Sequence, residues 1–254
     1  MTIHLTDKTA LVTGATGQLG EAMVLALAQC GANVIIHCKQ NRAKAQALQD
    51  AVTHMERSAF IVQGDIGLQT DVLTMKQEIE SNFTLPDIVV TNAVSQIFPW
   101  QSVLDEEIED YENQFKSCVM QNVLMAKAFV PHMITNRWGR FIGINTETSV
   151  QAFETQSAYV SGKRGMDGVL RVLAREVGPH CVTVNQIAPG WIKTKSTKPA
   201  ILEAQQKYAE TVPMRRLGDA KDIANAVAFL ASDLAAFITG AFIPVNGGNV
   251  FVGI

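Results

Sequence analysis

A regular alternation of two kinds of segment runs along the whole chain of 254 residues. Short apolar runs rich in β-branched residues indicate buried strands, and the longer stretches between them carry apolar residues at helical spacing. The predicted strands are Thr9–Thr13, Asn33–Cys38, Ala59–Gly64, Ile88–Asn92, Arg140–Asn145, Val182–Ala188 and Ala241–Val245. The predicted helices lie near residues 18–30, 42–56, 69–82, 103–137, 157–178, 199–211 and 219–231.

This order predicts an α/β protein with a parallel sheet. Parallel neighbours need a crossover connection, and crossovers are nearly always right-handed, so helices are expected on both faces of the sheet. No linker rich in Gly, Ser or Pro and no fixed-period repeat marks a domain boundary. We therefore expect a single domain over residues 1–254 with a seven-stranded, doubly wound sheet. Segment 103–137 is expected to form two helices, broken around Lys116.

Composition and charge indicate which classes of binding partner the protein can have. Hydrophobic residues make up 47% of the chain and charged residues 18%, as in a globular protein with a sizeable core. The net charge of -3 provides no global positive field for nucleic acid or anionic lipid. The chain also lacks a signal peptide and any apolar run of about eighteen residues. We expect a cytoplasmic protein that binds neither nucleic acid nor a membrane.

The potential metal ligands are dispersed. Cys30, Cys38, Cys118 and Cys181 have neither the paired spacing of a zinc site nor the density of a disulfide framework. The five histidines form no i,i+4 pair and no cluster with cysteines or carboxylates. The sequence predicts reduced thiols and no metal site.

Three glycines follow the first predicted strand, at Gly14, Gly17 and Gly20. Glycines let the backbone approach a pyrophosphate, and the N-terminus of the next helix attracts its negative charge. A Gly-Lys-Ser/Thr sequence is absent, which disfavours an ATP-binding loop. The turn therefore favours a dinucleotide site on a Rossmann-type sheet. The alternative is a tight turn that uses glycine only for positive φ.

The end of the second predicted strand favours one cofactor over another. An acidic residue there would bind the ribose of NAD(H), whereas cations would pair with the 2′-phosphate of NADP(H). The segment Ile35–Arg42 has no carboxylate but contains Lys39 and Arg42. This favours NADP(H), with NAD(H) less favoured, unless both cations are simply solvated.

Tyr159 and Lys163 are four residues apart in a predicted helix, so they share one face. A phenol titrates near 10, and a nearby ammonium stabilises its ionised form, which makes the pair suited to acid–base chemistry. Thr146 follows a predicted strand, where an open α/β sheet places its ligand crevice. Its hydroxyl is a candidate to polarise a carbonyl, with Thr148 and Ser149 as competitors.

Taken together, these residues resemble the short-chain dehydrogenase/reductase family over essentially the whole chain. The matching segments are Thr13–Gly20, Gly64–Ile66, Thr91–Ala93, Tyr159–Lys163, Val184–Thr194, Arg216–Gly218, Asp222–Ala224 and Val245–Gly248. The length and ending resemble the branch of about 250 residues that includes 3-oxoacyl-carrier-protein reductases and many sugar and alcohol dehydrogenases.

The resemblance implies hydride transfer between a nicotinamide and a carbonyl or secondary alcohol of a small substrate. Tyr159 would move the proton, Lys163 would bind the nicotinamide ribose, and Thr146 would replace the usual Ser. Residues 190–215 would form a substrate lid. The candidate cofactor-binding residues are Gly14, Thr16, Gln18, Leu19, Lys39, Asp65, Ile66, Asn92, Ala93, Tyr159, Lys163, Pro189, Gly190, Ile192 and Thr194. A homotetramer built through segments 103–137 and 157–178 and the C-terminal strand is also implied.

Four positions depart from the family pattern. Gln18 stands where the short branch usually has Gly, Val94 replaces the Gly of Asn-Ala-Gly, and Thr146 replaces Ser. Cys118 occupies the position of a proton-relay Asn, and a thiol is a poor substitute for an amide in organising water. Asn122, one helical turn later, is a candidate to compensate.

These departures leave two hypotheses. The first is a working NADP(H)-dependent oxidoreductase, similar to 3-oxoacyl reductases or sugar and alcohol dehydrogenases, with a rerouted proton relay. The second is an NADP(H)-binding sensor or scaffold with little turnover. An epimerase acting on nucleotide sugars is weaker, because only 64 residues follow Gly190 (254 minus 190).

Overall fold

The computed structural model describes residues 2–95, 99–193 and 199–251. Within these ranges one sheet of seven parallel strands runs through the molecule, in the order β3-β2-β1-β4-β5-β6-β7. The strands β1 to β7 are Thr9–Val12, Asn33–Cys38, Ala59–Gln63, Ile88–Thr91, Gly139–Ile144, Val182–Pro189 and Phe242–Val245. The predicted parallel α/β sheet is therefore confirmed.

Helices cover both faces of the sheet. The helices α1 to α9 are Gln18–Gln29, Arg42–Thr53, Gln69–Asn82, Ile108–Gln114, Gln121–Asn136, Thr148–Gln151, Ser157–Val177, Pro199–Thr211 and Ala220–Ala231. One apolar core packs α1, α2 and α9 against the sheet, and a second core packs α3, α5 and α7 against the opposite face. None of the helices in the described ranges combines the length and the apolar character needed to cross a membrane.

The expected break around Lys116 is a change of helical winding. A π-helical segment, Phe115–Met120, joins α4 to α5 without interrupting the helix. The predicted start at residue 103 is wrong, because α4 begins at Ile108. The preceding residues form a turn in which the Ser102 hydroxyl donates to Asp105 and the Glu106 N–H donates to the Ser102 carbonyl. Such local side-chain bonds compete with helix formation.

The strand order determines where a ligand crevice opens. From β1 the chain winds outward to β2 and β3, and then returns to add β4 to β7 on the other side of β1. In open α/β sheets the crevice lies at the carboxyl ends of the strands, where the winding reverses. The carboxyl ends of β1 and β4 carry the glycine turn and Asn92.

Candidate active site

The glycine turn between β1 and α1 depends on two of its glycines. Gly14 has a φ of +61°, in the left-handed region that favours glycine. A Cβ on Gly20 would lie 2.3 Å from the Gly14 carbonyl oxygen and 2.7 Å from the Ala15 Cα. By contrast, a Cβ on Gly17 would approach only the Gly14 oxygen, at 3.4 Å. Gly20 therefore allows the turn to close tightly, while a Cβ at Gly17 would make only an ordinary van der Waals contact.

The first turn of α1 presents backbone N–H groups to the crevice. Gly17 is the N-cap residue and supplies no side-chain acceptor for them. The neighbouring Gln18, which departs from the family pattern, donates from Nε2 to the Lys193 carbonyl at 2.5 Å. Gln18 thus ties the glycine turn to the chain segment that follows β6.

His37, at the end of β2, supports the glycine turn through hydrogen bonds of its imidazole. Its Nδ1 accepts the Gly14 N–H at 3.0 Å, so Nε2 carries the proton and donates to the Gly64 carbonyl, also at 3.0 Å. Burial lowers the pKa of this imidazole, outweighing the opposing effects of the Gly64 carbonyl and the Asp65 carboxylate. No local sequence pattern indicates this role, because the two contacts join residues far apart along the chain.

Thr13 ties the ends of β1 and β4 together. Its hydroxyl donates to Gln121 Oε1 at 2.6 Å and accepts the N–H groups of Asn92 and Ala93 at 2.9 and 3.0 Å. The Asn92 amide in turn donates to the Thr13 carbonyl at 2.9 Å. These bonds fix the backbone on both sides of the crevice.

At the other end of the crevice Lys39 and Asp65 form an ion pair, with Nζ 2.6 Å from Oδ2. Burial alone would raise the pKa of Asp65, but the bonds from Lys39 and the Gly67 N–H outweigh it and lower that pKa. Arg42, the second predicted cation, is exposed at the start of α2 and does not line the crevice.

The Tyr-Lys pair lies on the face of α7 that meets the crevice. Lys163 is 4% exposed, and its ammonium donates to the Ile144 carbonyl at 2.6 Å and lies 5.8 Å from the centroid of the Tyr159 ring. Trp100 packs against Tyr159, with the two ring centroids 5.8 Å apart. Lys163 is therefore held by the end of β5, next to the phenol.

Thr146 is positioned by the residue before it. Asn145 accepts the Thr146 N–H at 2.8 Å and donates to the Lys163 carbonyl at 3.1 Å, which links the β5 end to α7. Among the competitors, Ser149 is buried and donates to the Thr146 carbonyl at 2.8 Å. Thr148 donates its N–H to the Thr146 hydroxyl at 3.3 Å.

A cavity of about 830 Å³ brings the predicted residues together. It is lined by Thr146 and by the candidate cofactor residues Gly14, Thr16, Gln18, Leu19, Lys39, Asp65, Ile66, Asn92, Ala93, Tyr159, Lys163, Pro189, Gly190 and Ile192. Thr194 lies outside the described residues. A second cavity of about 610 Å³ adjoins the first, and Val94, Thr146, Tyr159 and Gly190 line both.

The π-helical segment contributes Ser117 to the cavity lining, and not Cys118 or the nearby Asn122. Cys118 is 1% exposed and contacts Gln114 Oε1 at 3.6 Å, and it is not among the residues lining the cavity. Asn122 is engaged elsewhere, since it accepts from the Thr91 hydroxyl at 2.7 Å and donates to the Cys118 carbonyl at 2.6 Å. Ser117 does line the cavity, and its buried hydroxyl has no hydrogen-bond partner among the described residues.

A Rossmann-type crevice with a Tyr-Lys pair at its wall defines the class of nicotinamide-dependent oxidoreductases. A family model described as Enoyl-(Acyl carrier protein) reductase matches residues 14–249. A 3-oxoacyl-(acyl-carrier-protein) reductase from Pseudomonas aeruginosa is 34% identical over 249 residues, covering 97% of this chain and 98% of the relative. The corresponding reductase from Aquifex aeolicus is 34% identical over 252 residues, covering 98% and 99%.

Two solved structures of a reductase and a dehydrogenase are similar in fold to this chain. The promiscuous reductase LugOII, which catalyses keto-reduction at C1 during lugdunomycin biosynthesis, superposes with a TM-score of 0.88 at 29% identity, covering 98% of this chain and 100% of that one. A gluconate 5-dehydrogenase from Burkholderia cenocepacia, in complex with NADP and tartrate, has the same fold with a TM-score of 0.90 at 24% identity, covering 97% and 96%.

The chain belongs to the short-chain dehydrogenase/reductase family. It is an NAD(P)-dependent oxidoreductase that acts on carbonyl or alcohol groups.

Proposed function

We propose that the protein is an NADP(H)-dependent oxidoreductase that interconverts a carbonyl and a secondary alcohol of a small substrate, with Tyr159, Lys163 and Thr146 as catalytic residues. The observation that carries this proposal is that Tyr159 and Thr146 line both the large cavity and the adjoining one. Their side chains therefore face the boundary at which a cofactor in one cavity would meet a substrate in the other.

The large cavity fits a dinucleotide. Gly17 leaves its backbone open, with no atom closer than 3.4 Å to an added Cβ, and the helix end behind it favours a pyrophosphate. Asn92, Ala93, Pro189 and Ile192 would flank the nicotinamide half. When bound, the nicotinamide supplies the hydride that adds to the carbonyl carbon, or accepts it in the reverse direction.

Residues of the chain transfer the proton and bind the substrate oxygen. The Tyr159 hydroxyl donates a proton to the substrate oxygen during reduction and takes it back during oxidation. The buried ammonium of Lys163 lies 5.8 Å from the centroid of the Tyr159 ring and would bind the ribose of the nicotinamide. The Thr146 hydroxyl donates a hydrogen bond to the substrate oxygen, which polarises the carbonyl and keeps it in place.

After reduction, the proton that Tyr159 has donated is replaced from solvent by a route along Ser117. Ser117 is the residue of the π-helical segment that lines the cavity, whereas the Cys118 thiol contacts Gln114. A buried hydroxyl without a partner is suited to bind water, and that water would connect Lys163 to solvent. Ser117 thus takes over the role that the family resemblance gives to the position of Cys118.

NADP(H) is the favoured cofactor because Lys39 lines the crevice at the end of β2, where a 2′-phosphate would lie. Asp65 is the competing partner for that cation. Discrimination between the two dinucleotides therefore rests on how far a 2′-phosphate draws Lys39 away from Asp65.

The remaining features of the proposal rest on the sequence and on the exposed surface. Residues 1–254 would form one domain, with residues 190–215, including α8, as the substrate lid. A cytoplasmic homotetramer would bury apolar side chains that are exposed in the single chain, such as Phe115 near the end of α4 and Val172 on α7, which are 53% and 56% exposed.

The test is an assay of NADPH oxidation with simple ketones, keto-sugars and β-ketoacyl thioesters, repeated with NADH. We expect turnover of at least one of these classes and a preference for NADPH. Tight NADPH binding by fluorescence without turnover of any of them would instead support the sensor or scaffold hypothesis.

A further inference from the structure

One wall of the second cavity is acidic. Glu147 directly follows Thr146 and is 3% exposed. It is the one charged side chain among the described residues that line this cavity, where it stands with Thr146, Tyr159 and Tyr208. A buried carboxylate beside the proposed reaction centre is costly unless it is paired with hydrogen-bond donors.

One oxygen of this carboxylate is well paired. The hydroxyl of Tyr208, on α8, donates to Oε1, and Asn249 Nδ2 donates to the same oxygen at 3.0 Å. The Tyr208 oxygen in turn accepts the Trp191 N–H at 3.0 Å. Burial and the bond to Glu147 raise the pKa of Tyr208, so the phenol stays protonated and remains the donor.

The other oxygen is not paired. Glu147 Oε2 is buried and has no hydrogen-bond partner among the described residues. Three separate parts of the chain fix the carboxylate: the loop after β5, α8 and the C-terminal segment that carries Asn249. Buried acceptors in native proteins nearly always have a donor, and since Glu147 lines the second cavity, its unpaired oxygen points to a donor on the substrate.

We propose that Glu147 is a specificity-determining residue that accepts a hydrogen bond from a hydroxyl group of the substrate, and that the substrate is a hydroxyketone and its product the corresponding diol. This rests on the proposed function, since the hydroxyketone is the carbonyl compound that is reduced. Thr146 and Glu147 both line the second cavity, so one small substrate would contact both residues.

The carboxylate also selects against other substrates. Ketone, ester and thioester oxygens only accept hydrogen bonds, so an oxoacyl thioester would leave Oε2 unpaired and face its negative charge. A substrate carboxylate would be repelled directly. The relatives described above are named as 3-oxoacyl reductases, and the oxygens of an oxoacyl thioester are poorer partners for Glu147 than a substrate hydroxyl is.

The test compares hydroxyacetone with butanone, which have the same number of heavy atoms and differ by a hydroxyl in place of a methyl group. For the wild type we expect kcat/KM with NADPH to be higher for hydroxyacetone. In Glu147→Gln we expect kcat/KM for hydroxyacetone to fall about tenfold, since hydrogen bonds to charged groups are the stronger ones. The kcat/KM for butanone should change less than about twofold. The Gln side chain keeps the volume and an acceptor for Tyr208.

Tyr208→Phe is the matched control. It removes one donor to Glu147 Oε1, but Asn249 still donates to that oxygen and Oε2 keeps its charge, so the preference for hydroxyacetone over butanone should remain. If Glu147→Gln lowers kcat/KM by the same factor for both ketones, then Glu147 only holds the lid and the inference is wrong.

A binding experiment without turnover keeps the inference testable if the variant folds poorly. With NADPH bound, propane-1,2-diol should bind the wild type more tightly than butan-2-ol does, as measured by the change in NADPH fluorescence. Equal binding of the two alcohols overturns the inference. Failure of every ketone to oxidise NADPH would overturn the proposed function instead.

Discussion

The ammonium of Lys39 lies 2.6 Å from the carboxylate of Asp65, so the cation best placed for a 2′-phosphate already has an anionic partner. The side chains are 62% and 30% exposed, which leaves the pair open to an incoming phosphate. A phosphate with a charge near -2 competes effectively with a single carboxylate for a lysine. The pair therefore holds Lys39 at the crevice in the absence of a phosphate.

Replacing Lys39 tests this arrangement. Lys39→Gln should weaken NADP+ binding about tenfold, because a charge-assisted bond to the phosphate is lost, and should leave NAD+ binding nearly unchanged. Arg42→Gln is the control, since Arg42 is an exposed cation three residues away that does not line the crevice. Dissociation constants of both cofactors for both variants decide the matter, and an equal loss of NADP+ and NAD+ binding in Lys39→Gln would contradict the assignment.

Removing the phenol oxygen tests the proton step. Tyr159→Phe should lower kcat by about 10²- to 10⁴-fold, the usual contribution of a positioned acid or base, while the dissociation constant for NADPH stays within about twofold. Tyr111→Phe is the matched control, because the Tyr111 hydroxyl contacts Ser157 and lines neither cavity. Substantial turnover by Tyr159→Phe would remove this residue from the mechanism.

Much of the fold follows from local patterns in the sequence. Buried β-branched runs such as Asn33–Cys38 identify the strands, and the glycine spacing identifies the turn that later lies at the crevice. Helix periodicity placed Tyr159 and Lys163 on one face, where the structure has them. The start of α4 differs from the predicted one, because the hydrogen bond between the side chains of Ser102 and Asp105 favours a turn over a helix.

Other parts of the site depend on contacts that no local pattern reveals. His37 contacts Gly14, and Glu147 contacts Tyr208, across 23 and 61 residues. The orientation of Ser117 and Cys118 depends on the π-helical winding, which shifts the face that each residue presents. A residue-by-residue match to the family pattern therefore selected Cys118, whereas the cavity is lined by Ser117.

The glycine turn yields a prediction about stability. Gly20→Ala places a Cβ 2.3 Å from the Gly14 carbonyl oxygen, so the backbone must shift. We expect a loss of about 1–3 kcal/mol in the free energy of unfolding, the range typical of overpacking, together with weaker cofactor binding. Gly17→Ala has room for its Cβ and should unfold at nearly the wild-type urea concentration without cofactor. Equal destabilisation by the two variants would show that the turn is not closed as described.

The proton route through Ser117 is tested against its neighbour. Ser117→Ala should lower kcat about tenfold and increase the solvent deuterium isotope effect, because proton resupply becomes slower, with NADPH affinity unchanged. Cys118→Ala should leave the isotope effect at the wild-type value, since its thiol faces Gln114 and not the cavity. A larger isotope effect in Cys118→Ala than in Ser117→Ala would return the relay to the position that the family resemblance indicates.

His37 makes folding and cofactor binding sensitive to acid. Burial lowers the pKa of His37 in the folded state, whereas in the unfolded chain it titrates near 6.5. The folded state therefore binds fewer protons below about pH 6.5, so stability is fully present above that pH and falls as the pH drops toward the folded-state pKa. Protonation of Nδ1 would also remove the acceptor of the Gly14 N–H, which supports the glycine turn.

The stability against urea and the affinity for NADP+ should therefore both fall from about pH 7 to about pH 5.5, the range in which an ordinary histidine gains its proton. His37→Gln, which keeps a donor and an acceptor but cannot titrate, should be less stable at neutral pH and show a shallower dependence of stability on pH. His54→Gln, at the exposed end of α2, should keep the wild-type dependence. If the wild type and His37→Gln lose stability in parallel as the pH falls, the buried imidazole does not control the turn, and the carboxylates must account for the acid sensitivity.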